Sequence, residues 1–463
     1  MPDFYITSSW DDGSKHDLKL AELLGKYNIP ATFYIAHEGF RGDLLHPSNI
    51  RRLSKNFEIG SHTLKHLWLD EVPDDKLEGE IIAGKKGLED LMGKEVISFC
   101  YPWGVYNSKI KQAVGLQGFK FARTTKAFAT SILDLLAAPI TVHAYDDDIV
   151  HSLVHGHKII LRKLFYHALL KKGLNFRWDD LSILFADYCM KNGGVFHLYG
   201  HSWEIEKTNN WKRLERVLRY LNENTNSTQR LTNGGIALKT ENTKKKYYSE
   251  FDALRFDTEY QTPYYRKEIE IVGNMVKRFD KPQAKILDIG CGSGRLSSLF
   301  NKATYLGMDY SDNLIKYARK EYGAPNRKFV CEDYWKSNKG KSVKYDLILL
   351  WGFIEDEVDP FRVITSLSSM VKKGTRIVFT LQNAENLFFK SIKYIRNEYF
   401  NQPYSLTSFD GESLEPYIER YCRKNNYHYQ LTSLGLINPS HKLIPFIPAG
   451  SYGNTLVYIF DKV

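Results

Sequence analysis

The 463-residue chain is short of cysteine, of long apolar runs and of like-charge blocks, and each shortage removes a class of protein. Its five cysteines, Cys100, Cys189, Cys291, Cys331 and Cys422, are scattered without any Cys-x-x-Cys spacing. That pattern argues against a disulfide framework and a cysteine zinc site, and it suits reduced thiols. No run of about 18 apolar residues occurs, so no transmembrane span is expected. No apolar stretch precedes the first motif either, and the expected location is the cytoplasm. The formal charge of +10 is spread along the chain, with Lys244, Lys245 and Lys246 the one run of three basic residues. A spread excess reads first as a solvated basic surface; nucleic acid, an anionic membrane surface or a phosphate-bearing substrate are the partners such charge would suit. What the chain does have is 43% hydrophobic and 14% aromatic residues, ample for globular cores. Its length exceeds one ordinary domain. The expected organisation is a first domain over 1–225, a polar linker over 226–246 and a second domain over 247–463.

The clearest local signal is Lys285-Ile-Leu-Asp-Ile-Gly-Cys-Gly-Ser-Gly294. Ile286, Leu287 and Ile289 suit a parallel strand covered on both faces, and Gly290, Gly292 and Gly294 let the backbone turn sharply into a helix from Arg295. A nucleotide-like ligand is expected above that turn. The next strand, 305–309, ends in Asp309, placed about 20 positions after the turn to accept ribose hydroxyls. A third, 329–333, ends in Asp333, suited to the exocyclic amine of adenine, and 345–350 reads as a fourth. The order is that of a doubly wound sheet. This part of the chain resembles the class I S-adenosylmethionine-dependent methyltransferases, whose first motif is apolar-apolar-Asp-x-Gly-x-Gly-x-Gly, over roughly residues 250–463. The resemblance implies a Rossmann-like fold and an S-adenosylmethionine site formed by Asp288, Gly290, Gly292 and Gly294, with Asp309 on the ribose and Asp333 on the adenine. A dehydrogenase is the competing nucleotide binder, and the absence of a second nucleotide-binding half counts against it. An aromatic stretch at 251–265 and a helix at 266–279 are expected to form a substrate lid. Glu355 or Asp356 is expected beside the methyl acceptor, as base, anchor or cap, and strands 376–380 and 456–460 complete the sheet.

The first half alternates strands and helices. Strands are expected at 4–10, 31–36, 57–60, 96–100, 119–123, 140–144 and 195–199, with later helices near 158–172, 179–191 and 211–221. About seven strands over some 220 residues favour an incomplete (β/α)7 barrel. Each polar residue of interest follows a strand end, where a barrel gathers its loops at one mouth. Asp11 and Asp12 follow the first strand, His62 and His66 the third, Pro102 to Gly104 the fourth; Arg123 closes the fifth and His201 follows the last. His62 and His66, on one face of an expected helical turn, need a third ligand to make a metal site, and Asp12 can be that ligand. Two imidazoles and a carboxylate leave open positions on a divalent ion, which suits hydrolysis; zinc is the default, with iron, manganese, nickel or cobalt open.

Ser9-Trp-Asp-Asp-Gly13, Ser61-His-Thr-Leu-Lys-His66 and Tyr101-Pro-Trp-Gly104 together resemble the motifs of the NodB-like polysaccharide deacetylases, carbohydrate esterase family 4, over roughly residues 1–225. The resemblance implies Asp11 as general base, Asp12, His62 and His66 as metal ligands, the Trp103 N–H as oxyanion donor and His201 as general acid, with His197 the rival acid. In one place the chain departs from the family. Cys100 stands where the motif has an Arg that pairs with the catalytic Asp, and Arg123 is the candidate to supply that charge. The expected protein is a cytoplasmic bifunctional enzyme of surface-polysaccharide or glycolipid biosynthesis. It N-deacetylates a nucleotide- or lipid-linked amino sugar and methylates the same or a related intermediate, with no nucleic acid as partner. The alternatives are a nucleic-acid or small-molecule methyltransferase whose first domain only binds carbohydrate, and a binding scaffold that has lost its chemistry.

Overall fold

The structure is a computed structural model that describes residues 4–38, 43–132, 134–146, 177–249, 263–337, 340–354, 357, 360–382, 418–419, 421–434 and 455–463. The chain divides into two compact units, Met1–Lys239 and Thr240–Val463. No helix among the described residues is long and apolar enough to cross a membrane.

The first unit is built on β1 (Phe4–Trp10), β2 (Thr32–Ile35), β3 (Glu58–Ser61), β4 (Ser98–Cys100), β5 (Phe121–Arg123), β6 (Val142–His143) and β7 (Gly194–Gly200), in the spatial order β5-β4-β3-β2-β1-β7-β6. Every neighbouring pair is parallel, as in a βα barrel opened between β5 and β6. The expected incomplete barrel is therefore what these residues form. Its strands are apolar or small on both faces because the sheet is covered on both: Phe33, Phe99, Phe121, Phe196 and Leu198 are fully buried. Around it, the helix Trp211–Asn224 places Leu214, Val217, Leu218 and Leu221 on one stripe, all buried. β6 is shorter than expected because Ile140 donates its N–H to Lys126 O (2.9 Å), and Ala138 donates to Ala122 O (2.8 Å) at the β5 edge. The segment thus spans the open seam before it joins β7. The expected helix at 158–172 lies outside the described residues.

The expected linker at 226–246 is packed structure over its first part. Leu231 N–H donates to Ile6 O (2.9 Å), and the buried Asn233 accepts from Thr7 Oγ1 (2.8 Å) and donates to Tyr34 Oη (2.8 Å). Gly234 donates its N–H to Glu58 Oε2 (2.9 Å) and packs against that carboxylate and Ile97. The polar composition that suggested a linker serves buried hydrogen bonds instead, and the helix Asn233–Ser249 follows directly.

The second unit holds β8 (Lys285–Ile289), β9 (Thr304–Asp309), β10 (Arg327–Cys331), β11 (Leu347–Leu350), β12 (Arg376–Gln382), β13 (Tyr427–Leu434) and β14 (Thr455–Lys462), in the order β10-β9-β8-β11-β12-β14-β13. The first five are parallel, and β14 runs antiparallel to both β12 and β13. This is a doubly wound Rossmann-like sheet whose order reverses between β8 and β11, the place where such sheets open a crevice at their carboxyl ends. Ile286, Tyr305, Leu347 and Val378 anchor its core. After the glycine turn the chain makes only a 3-10 helix, Arg295–Leu299, where an α-helix was expected. β9 begins at Thr304, so residues 295–303 are all that follow the glycine turn, and five of them form this 3-10 helix. β13 was not expected from the sequence at all.

Candidate active sites

At the carboxyl ends of the barrel strands the backbone is held in costly conformations. Asp12 (φ 80°), Thr63 (69°), His66 (57°) and Trp103 (59°) all lie in the left-handed region, although none is glycine. Such strain persists only where surrounding contacts over-determine it, and it concentrates at functional sites. Those contacts are visible. Leu64 N–H donates to Glu80 O (3.2 Å), Lys65 N–H donates to Glu80 Oε1 (2.7 Å), and Gly84 packs so closely on Thr63 that a Cβ would lie 2.3 Å from its carbonyl carbon. The stretch between His62 and His66 is thus an irregular loop, not the helical turn that the spacing suggested.

This loop brings together the three residues expected as ligands. Asp12, His62 and His66 are buried, and one ligand atom from each lies within 4.8 Å of the others. His62 Nε2 is 3.9 Å and His66 Nε2 3.6 Å from Asp12 Oδ1. His62 Nδ1 hydrogen-bonds to the Cys100 carbonyl at 2.9 Å, which assigns the proton to Nδ1 and turns the Nε2 lone pair toward Asp12. Burial lowers both imidazoles, His66 to about 3, so both are neutral, the form that ligates a metal. Trp203 Nε1 donates to Asp12 Oδ2 (2.9 Å) and fixes the carboxylate. The donor set, with its two neutral imidazoles and one anion, fits a divalent ion.

Asp11 is held differently. Its Oδ2 accepts from Arg123 Nη2, and its buried Oδ1 has no protein partner. Burial pushes the carboxyl up, but Arg123 outweighs it, aided by His62 and His201, and holds Asp11 at about 2. Arg123 is fully buried under the Tyr199 ring, 4.1 Å from its centroid, and its Nη2 is 2.7 Å from Cys100 Sγ. The small Cys100 side chain leaves room for an arginine from the next strand to reach Asp11.

His201 follows β7. Its Nε2 is 3.9 Å from Asp12 Oδ2, and its Nδ1 hydrogen-bonds to Glu204 at 2.6 Å. Glu204 Oε2 also accepts from His143 Nε2 (3.1 Å); burial raises this carboxyl, but the two imidazoles bring it down to about 2 and keep it ionised. His197, the rival acid, is buried against Ser9 Oγ (2.8 Å), and burial lowers it to about 3. It sits below the mouth as a neutral core residue. Trp103 is half-exposed beside His66, ring centroids 5.1 Å apart, and its N–H is not among the donors of the turn bonds, which run from Gly104 to Tyr101 O and from Val105 to Pro102 O.

In the second unit the polar residues gather at the carboxyl ends of β8 to β10. Gly290, Gly292 and Gly294 have φ of 72°, 54° and 82°, so the turn requires all three. A Cβ on Gly290 would also lie 2.7 Å from Phe353, and one on Gly294 2.7 Å from Phe329. Packing alone therefore accounts for these two glycines, and the argument for a ligand rests on the carboxylates. Asp288 accepts from Tyr305 Oη through Oδ2, while its Oδ1 is buried without a partner. Burial raises Asp288 to about 7. Asp309 accepts from the N–H groups of Gly292 (3.0 Å) and Ser311 (2.9 Å) and stands at the rim of the turn. Asp333 accepts from Trp335 N–H (3.0 Å) just after β10. The orphaned Asp288 oxygen beside a tight backbone cradle fits a ligand that brings its own cationic donor. Glu355, Asp356 and the lid stretch 251–262 lie outside the described residues.

Three residues of the first site escaped the sequence reading: Glu204, Trp203 and His143. The signal for Glu204 was its place three residues after His201 at a helix start.

A family model described as polysaccharide deacetylase matches residues 1–122, and one described as methyltransferase domain matches residues 260–437. A peptidoglycan-N-acetylglucosamine deacetylase of Bacillus cereus is 32% identical over 118 residues, which is 25% of this chain and 54% of that protein. A ubiquinone biosynthesis O-methyltransferase of Coxiella burnetii is 31% identical over 102 residues, 21% of this chain and 43% of that protein. The chain thus spans about half the length of each of these relatives. A solved polysaccharide deacetylase from Bacillus cereus aligns with 26% identity and a TM-score of 0.26, over 29% of this chain and 45% of that one.

Proposed function

Because the chain joins a polysaccharide deacetylase domain to a methyltransferase domain, we propose that it is a bifunctional enzyme of glycan biosynthesis, N-deacetylating an amino sugar at the first site and methylating the same or a related intermediate at the second. The observation that carries the first half is the convergence of Asp12, His62 and His66 beside an Asp11 that is paired with Arg123. Asp12, His62 and His66 would hold a divalent ion, zinc by default, and that ion when bound supplies Lewis acidity toward the amide carbonyl. Asp11, kept ionised by Arg123, takes the proton of the attacking water. The Trp103 N–H faces the oxyanion. His201, oriented through Nδ1 by Glu204, hands a proton from Nε2 to the departing amine. The Arg123 pairing counters the loss of the motif arginine and favours chemistry over a binding scaffold.

For the second half, S-adenosylmethionine suits the cradle. Its ribose would meet Asp309, its adenine Asp333, and its ammonium the orphaned oxygen of Asp288, with Gly290, Gly292 and Gly294 passing close beneath. The cofactor when bound supplies an electrophilic methyl group. The protein's part is to bind and orient it. A cytoplasmic setting with nucleotide- or lipid-linked sugars fits the basic charge, since both carry phosphate.

The test gives the full chain an N-acetylated amino-sugar substrate together with labelled S-adenosylmethionine, and repeats it with Asp11→Asn. Release of acetate and transfer of label by the wild type, with both lost in the variant, supports sequential action on one sugar. Label transfer unchanged in the variant would show that methylation does not need the freed amine. Absence of both products across mono- and oligosaccharide substrates would refute the bifunctional reading.

A further inference from the structure

The parallel register of β6 and β7 sets His143 opposite Tyr199, and His201 follows two residues later, its ring centroid 5.9 Å from that of His143. Glu204 comes from the first turn of the helix Ser202–Lys207, which His201 opens. All three side chains turn a ligand-type atom to one place. Glu204 Oε2 is 2.6 Å from His201 Nδ1 and 3.1 Å from His143 Nε2, and the three atoms lie within 4.8 Å of one another. The rings are held from outside as well: Tyr199 stacks on His143 with centroids 4.6 Å apart, Tyr145 follows at 5.8 Å, and Trp203 lies tilted against His201 at 5.3 Å. The three side chains are 14% to 21% exposed, so solvent reaches them. The proposed reaction gives His143 no step.

We infer that His143, His201 and Glu204 form a second site for a divalent ion such as zinc, weaker than the first, and that filling it takes the general acid out of service. The site itself stands on the geometry; its effect on turnover rests on the deacetylation reading. Two imidazoles and one carboxylate are the same donor set as Asp12, His62 and His66. Tetrahedral zinc at about 2.0–2.2 Å from its N and O ligands sets those atoms roughly 3.3 Å from each other, so the cluster needs to open only slightly. Ligation replaces the two imidazole contacts to Glu204. Each ring turns a lone pair to the ion and keeps its proton on the other nitrogen, while the carboxylate stays ionised. Losing a charge-assisted hydrogen bond makes this site roughly tenfold or more weaker than the buried triad. Its ion would sit on the Nδ1 edge of His201, whereas the Nε2 edge lies 3.9 Å from Asp12 Oδ2. An imidazole that gives up its Nε2 proton stays neutral only if Nδ1 carries another. With a metal on Nδ1, that loss would leave an imidazolate, so the ring no longer protonates a leaving amine.

The experiment strips the full chain of metal, returns zinc in steps and counts bound ions by equilibrium dialysis with elemental analysis. The wild type is expected to hold one ion at low free zinc and two at excess, and dialysis against metal-free buffer removes the second. His143→Ala and Glu204→Gln, checked for fold by circular dichroism, are each expected to stop at one. His62→Ala is expected to bind one at excess and to lose it on dialysis. Acetate release from an N-acetylated amino-sugar oligosaccharide, followed across the same zinc series, should fall roughly tenfold or more in the wild type as the second ion binds, since a general acid contributes about 10²–10⁴-fold. In His143→Ala the rate at excess zinc should match the rate at low zinc. A count at excess zinc that is the same in wild type, His143→Ala and Glu204→Gln would overturn the site, whatever His62→Ala does. Equal inhibition of wild type and His143→Ala would overturn its effect on the acid. A count that falls in His143→Ala and Glu204→Gln, in a protein that releases no acetate at any zinc level, would sustain the second site and end the deacetylation reading.

Discussion

The two units treat their charged residues in opposite ways. At the barrel mouth the groups answer one another: Arg123 holds Asp11, the Cys100 carbonyl holds His62, Trp203 holds Asp12, and Glu204 holds His201. At the carboxyl ends of the second sheet the named carboxylates bond to nearby groups of their own turn and strands, with Asp288 accepting from Tyr305 and keeping one buried oxygen unpartnered and Asp309 spending its bonds on the turn that it borders. The contrast suits what is proposed for each site. The hydrolytic site we propose orients groups that act on a transient substrate, and its acid, base and ligand side chains are each fixed by a neighbour while Asp11 keeps one oxygen open. A site for a tightly held small molecule leaves its valences for the ligand to fill.

Removing a group from the interlocked network at the barrel mouth should therefore cost most. Asp11→Asn is expected to retain metal and fold yet lose roughly 10²–10⁴-fold in deacetylation rate, the usual contribution of a general base. Acetate release by an active, metal-loaded variant would remove Asp11 from that role. In the second site, Asp309→Ala is expected to weaken S-adenosylmethionine binding roughly 10- to 100-fold, the loss of a charged acceptor for hydroxyl donors. Calorimetry with unchanged circular dichroism reads this directly, and a preference for a nicotinamide cofactor would contradict the methyltransferase assignment.

A gentler probe sharpens the same comparison through pH. Burial raises Asp288 to about 7, so the carboxyl is protonated in the free unit below that pH and ionised above it. The ammonium of S-adenosylmethionine favours the ionised form. Affinity should then rise about tenfold from pH 6 to pH 8, with a proton released on binding at the lower pH. The first site should show no such dependence from Asp11, which stays ionised above about 2. Cofactor affinity that is flat with pH would show that Asp288 does not meet the ammonium.

How much of this was legible beforehand depends on whether the partners are neighbours in sequence. Asp11 with Asp12, His62 with His66, and the glycine turn are local patterns, and each was found at a strand end. Trp203 reaches Asp12 across 191 residues, and Arg123 reaches Asp11 across 112, so the contacts exist only once the barrel has closed. Arg123 was a candidate because a charge was missing; nothing comparable pointed to Trp203. The stretch 226–246 read as linker because it is polar, and over its first part polar groups bond to the barrel: Asn233 donates to Tyr34 Oη and the Gly234 N–H to Glu58. β13 is an edge strand of mixed polar and apolar residues, Tyr-His-Tyr-Gln-Leu-Thr-Ser-Leu, whose alternation is weak without its partner β14.

The central claim is that Asp12, His62 and His66 form a working metal site, and elemental analysis of the purified chain tests it most directly. The wild type, supplied with zinc and freed of excess, is expected to hold one divalent ion per chain, and His62→Ala and His66→Ala are expected to lose it. Full occupancy in both variants, or a wild type that takes up no divalent metal, would contradict the account.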